Sequence, residues 1–139
     1  MSTEENKALM RRFWEGVFNQ KNLEVIDEVC TADMAYHGPT GPIQGREAFK
    51  QFIAMYLNAF PDFHITIEDM VAEGDRVAVR QTTTATHQGE LMGIPPTGKR
   101  ISISGIHITR VVEGKGVEDW GSDDMLGLLQ QLGVIPVMG

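Results

Sequence analysis

Apolar residues recur at two different spacings along this chain, and the change from one to the other divides it. Leu9, Met10, Phe13, Trp14, Val17 and Phe18 fall at helical spacing and make a broad stripe. Ser2 followed by Glu5 has the spacing of a capping box, which starts this helix near Thr3. Asn22 suits the cap of a second, short helix carrying Leu23, Ile26 and Val29. A short strand around Asp33–His37 ends in the turn-rich Gly38–Pro42. Phe49, Phe52, Ile53, Tyr56, Leu57 and Phe60 then predict a third helix over Arg46–Asn58, stopped by Pro61.

Beyond Pro61 the period is two. Phe63, Ile65 and Ile67 alternate with polar residues, and Gly74–Asp75 suits a hairpin turn. Arg76–His87, rich in Val and Thr, reads as the next strand. Gln88–Arg100 contains Gly93-Ile94-Pro95-Pro96-Thr97-Gly98, and two prolines do not belong inside a central strand, so this is a loop. It is expected to fold over a pocket mouth, with Met92 or Ile94 bordering the cavity or a subunit interface. Ile101–Val112 forms another strand, and Glu113–Lys115 turns it into the last one. Helices first and a meander afterwards is an α+β pattern: helices packed on one face of a curved sheet, closing a cone with a pocket inside. One domain over 1–139 is expected, since no linker, repeat or low-complexity tract interrupts the chain.

The last strand carries the densest chemistry. Glu118, Trp120, Ser122 and Asp124 alternate, so they share one strand face just before a short helix. A carboxylate beside an indole is partly desolvated, which suits it to move protons. The plainer reading makes Trp120 core and the acids solvated. His107 sits mid-strand, with Gly105 and Thr109 on its own face. It is either a structural histidine or a donor to a substrate oxygen.

Composition narrows the classes. A net charge of −7 over 139 residues argues against nucleic acid, which needs a basic face. No apolar run approaches the roughly 20 residues that span a bilayer. The polar start does not read as a signal peptide, and the single Cys30 excludes an intrachain disulfide. A cytoplasmic protein is expected. The four histidines show no metal spacing, and no nucleophile elbow or phosphate loop occurs.

Three stretches, His37–Phe52, His87–Gly105 and Glu118–Gly133, are similar to SnoaL-like polyketide cyclases, also known as ester cyclases. These belong to the nuclear-transport-factor-2-like superfamily of α+β cones, and the resemblance runs over roughly Lys7–Gly133. It implies a homodimer or homotetramer, no metal or organic cofactor, and a small hydrophobic substrate. It further implies ring closure by intramolecular aldol condensation of a polyketide ester, with an aspartate before the last helix as acid/base. The matching position is taken as Asp124, and Asp123 is assigned to the opposite strand face. A pocket histidine on the penultimate strand matches His107. His37, at the pocket edge, is expected to contact substrate, Trp120 to form a flat wall, and Arg80 to bind a carboxyl or pair with Glu118. Isomerases, dehydratases and non-catalytic binding modules use the same cone, so these stand as alternatives.

Overall fold

The computed structural model describes residues 2–137 and places a six-stranded mixed sheet behind the helices. Helix α1 (Thr3–Trp14) begins at the Ser2–Glu5 capping box, with both reciprocal hydrogen bonds formed. Such a cap contributes about 1 kcal/mol. The helix runs on into a π-helical turn over Glu15–Asn19, which keeps Val17 and Phe18 buried. Helix α2 (Val25–Val29) starts later than its expected cap: the Asn22 side chain accepts from the Glu24 N–H in the preceding turn. Helix α3 (Arg46–Ala59) matches its apolar period and buries Phe49 and Ile53.

Strand β1 (Cys30–Gly38) pairs with a short β2 (Gly41–Gln44), which the proline in its sequence had hidden. The meander follows as β3 (His64–Glu73), β4 (Arg76–Thr86), β5 (Arg100–Val112) and β6 (Lys115–Asp123), then α4 (Met125–Gln131). The sheet order is β2-β1-β6-β5-β4-β3. β1 runs parallel to β6 and every other pairing is antiparallel. Alternation along β4 and β5 is clean: Val77, Val79, Gln81, Thr83 and Ala85 are buried, as are Ile101 and His107, while their neighbours face outward.

Two apolar clusters fill the interior. One joins α1, α3 and the sheet through Met10, Phe13, Trp14, Val25, Phe49 and Ile53. The other gathers Phe60, Ala85, Leu91, Ile101, Leu128 and Leu132 beneath α4. The proline loop is tied down by Leu91, which is fully buried and bridges to Ile94. Met92 is exposed, and neither it nor Ile94 lines the cavity. Of the two places expected for them, cavity or subunit interface, the cavity is therefore corrected: the loop's apolar anchor is Leu91. Among the described residues, no helix is long and apolar enough to cross a membrane.

Candidate active site

A cavity opens where the two clusters meet, enclosing about 790 Å³ of space with its mouth included. Phe13, Trp14, Phe18, Phe49, Phe52, Phe60 and Phe63 give its wall an aromatic character. Its polar groups converge on the sheet side: Gln81 and Thr83 from β4, His107 from β5, and Asp119 and Asp123 from β6. Tyr36, Tyr56 and the aliphatic Ile53, Ile101, Ile103, Met125 and Leu128 also line it.

These polar groups form one hydrogen-bonded line. Thr83 Oγ1 donates to Gln81 Oε1 at 2.8 Å, and Gln81 Nε2 donates to Asp123 Oδ1 at 2.9 Å. His107 Nε2 lies 3.2 Å from both Asp123 oxygens. Its Nδ1 lies 3.2 Å from Asp119 Oδ2, and Thr109 Oγ1 donates to the other oxygen of Asp119 at 2.6 Å. The imidazole sits edge-on to Trp14, with centroids 4.8 Å apart, and parallel to Tyr36.

Charge follows from this geometry. Burial works against a charged His107, but hydrogen bonds to Asp119 and Asp123 outweigh it and raise the imidazole to about 10. His107 is thus an imidazolium at neutral pH. Burial, then the nearby Asp123, pushes the phenols of Tyr36 and Tyr56 up, so both remain protonated donors. Burial likewise lifts Cys30 to about 12, leaving it an unreactive thiol.

The strand register explains which side chains enter the cavity. The β5–β6 pairing shifts between Arg110 and Val111, so Val117 is an extra residue. Gly116 is buried ahead of this bulge. Beyond it Asp119, Gly121 and Asp123 point inward, while Glu118, Trp120 and Ser122 point outward. Bulges re-aim side chains in this way. The expected grouping of Glu118, Trp120 and Ser122 on one face is therefore observed, but that face is the outer one. Asp123 was assigned to the wrong side, because the large indole was taken to mark the interior.

Asp124 lies past the strand end. Its carboxylate accepts from the Gly127 N–H at 2.8 Å and caps α4, outside the cavity lining. His37, Glu118 and Trp120 cluster on the outer face instead of touching the pocket. The His37 ring stacks on Trp120 at 5.5 Å, and His37 Nε2 lies 2.7 Å from Glu118 Oε2. Arg76 covers the indole at 5.1 Å. Arg80 pairs with Asp69 at 2.6 Å across the β3–β4 hairpin, not with Glu118, whose arginine is Arg110 at 3.6 Å. Of the six residues singled out from the sequence, only His107 lines the cavity. Gln81, Asp119 and Asp123 were missed.

A profile of the SnoaL-like polyketide cyclases matches residues 8–132. Aklanonic acid methyl ester cyclase DnrD of Streptomyces peucetius is 31% identical over 132 residues, covering 90% of this chain and 88% of that protein. The nogalonic acid methyl ester cyclase of Streptomyces nogalater is 32% identical over 123 residues, covering 84% and 89%. Among solved structures, AclR of Streptomyces galilaeus, a candidate hydroxylase, superposes with a TM-score of 0.89. It is 36% identical, over 99% of this chain and 87% of that one. With the family profile and these relatives spanning nearly all of it, the chain belongs to the SnoaL-like polyketide cyclase family.

Proposed function

We propose that the protein is a SnoaL-type cyclase that closes a ring in a small, hydrophobic polyketide-like ester by acid/base proton transfer. One observation carries the reading: a carboxylate within hydrogen-bond distance of an imidazole, set into a largely apolar cavity rich in aromatic side chains. Asp123 replaces Asp124 as the acid/base group in this reading, because it is the aspartate of the pair that reaches the cavity.

The chemistry is an intramolecular aldol condensation. The Asp123 carboxylate takes a proton from the carbon next to a carbonyl. The carbanion formed adds to a second carbonyl of the same molecule, making the new carbon–carbon bond and an alkoxide. Asp123 then returns its proton to that alkoxide, so no external reagent is consumed. The His107 imidazolium stabilises charge beside Asp123, and the phenols of Tyr36 and Tyr56 are available to the substrate's oxygens. General acid–base catalysis of this kind supplies about 10²–10⁴-fold. The aromatic walls exclude water and hold a flat ring system.

The test is incubation with aklanonic acid methyl ester or nogalonic acid methyl ester, the compounds for which the two curated relatives are named. A cyclised product of unchanged mass supports the reading. A product that gains one oxygen would point instead to hydroxylation, and binding without turnover to a ligand-holding module. The outer sheet face supports a homodimer: Ile106 and Ile108 are exposed there beside Thr82, Thr84 and Ser104.

A further inference from the structure

We infer that Asp119 is a positioning residue of this site: pinned by Thr109 and seated against His107 Nδ1, it aims the opposite ring nitrogen at Asp123. This rests on the reading of Asp123 as the acid/base group. The side chain of Asp119 is nearly buried, at 11% exposure, and burying a carboxylate is costly unless its oxygens are bonded. Each oxygen has one partner, the Thr109 hydroxyl on one side and the imidazole on the other. Among the described residues, no lysine or arginine forms an ion pair with Asp119 or Asp123. The imidazole is thus the cation the two carboxylates share.

The placement depends on the β6 bulge. Without the extra Val117, the alternation that buries Gly116 would turn Glu118 and Trp120 inward and expel Asp119 and Asp123 together. One irregularity therefore delivers both carboxylates to opposite ends of the same ring.

An imidazole bonded at both nitrogens cannot turn or change tautomer without breaking a hydrogen bond. Asp119 at Nδ1 leaves Nε2–H pointing at Asp123, and Gln81 fixes Asp123 Oδ1 from β4. The other titratable groups around the ring are neutral: the Tyr36 phenol stacked from β1, Tyr56 from α3, and the Cys30 thiol near Asp119. From α1 the ring meets the edge of Trp14, which carries no charge. Asp119 and Asp123 are then the two groups that set the imidazole's proton.

The test combines nitrogen NMR of the His107 side chain, without substrate, with pH profiles of turnover. In the unaltered protein both ring nitrogens should carry protons at pH 7. In Asp119→Asn, which keeps the shape and lets Thr109 donate to the amide oxygen, the His107 midpoint should fall by about 1 unit or more. The alkaline limb of kcat should move with it, and kcat should drop on the order of 10²-fold with KM little changed. Asp119→Glu, which keeps the charge, should restore the midpoint in part. A variant with a lowered melting temperature but unmoved His107 titration and pH limb would reduce Asp119 to a structural role and overturn the inference. Should Asp119→Asn fail to fold, the unaltered protein decides: an unprotonated Nδ1 at pH 7 contradicts the inference, and a protonated one supports it. If His107 behaves as expected but no ester turns over, the cyclase reading fails and the placement of the proton stands.

Discussion

Asp123 occupies the space that a side chain on Gly105 would fill: a Cβ built on Gly105 overlaps Asp123 Oδ1. The two residues face each other in the β5–β6 ladder. One rung pair along, Gly121 faces His107, and a Cβ there overlaps the imidazole. Two inward-facing glycines thus make the room in which the carboxylate and the imidazole meet. Gly105→Ala and Gly121→Ala should each cost about 1–3 kcal/mol through overpacking and also displace the polar pair. Denaturant unfolding and turnover of the same variants check this. An alanine variant of full stability and full activity would show that the pair has slack.

Asp124 should behave as a helix cap. Asp124→Ala should lose about 1 kcal/mol of stability and Asp124→Asn only a fraction of that, since asparagine caps nearly as well. Thermal melts of the two variants separate these outcomes. Equal losses in both would mean that the charge, and not the hydrogen bond to Gly127, matters.

Stability should depend on His107 in alkaline solution. Its folded-state value is raised from an ordinary 6.5 to about 10, burial being outweighed by the two aspartates. A group raised on folding stabilises fully below its unfolded value, and the contribution is lost as pH climbs through the folded one. Stability from this cluster should therefore be complete below about 6.5 and decline progressively up to about 10. Urea unfolding across that window, compared with His107→Gln, measures it. Parallel pH curves for the two proteins would contradict the shared-proton picture.

The outer face should mediate self-association. Ile106 is 51% exposed and Ile108 38%, adjacent on β5 and flanked by the His37–Trp120–Arg76 stack. Ile106→Glu together with Ile108→Glu should convert a dimer to a monomer in light scattering without unfolding it. A protein that is monomeric at all concentrations before substitution would remove the proposal.

The helices and strands were legible because their periods are strong: α3 begins at the expected Arg46 and ends one residue beyond Asn58, and β4 and β5 alternate without a break. β2 was not, since Pro42 sits within its four residues on the sheet edge, where proline is tolerated. His107 was found through the resemblance, which places a pocket histidine on the penultimate strand, and its less apolar strand face, with Gly105 and Thr109, agreed with that. Asp123 was missed for a physical reason. The rule that large aromatics point inward fails for Trp120, which is sandwiched on the outer face by His37 and Arg76. Gly105 and Gly121 held the corrective signal, for a glycine inside a strand marks a place where something else comes close.

Turnover of Asp123→Asn beside Asp124→Asn decides between two adjacent carboxylates under identical conditions. Asp123→Asn should lose about 10²–10⁴-fold in kcat while still binding substrate, and Asp124→Asn should stay within a few-fold of the unaltered enzyme. The reverse result, an active Asp123→Asn and an inactive but folded Asp124→Asn, would contradict the site described for this cavity.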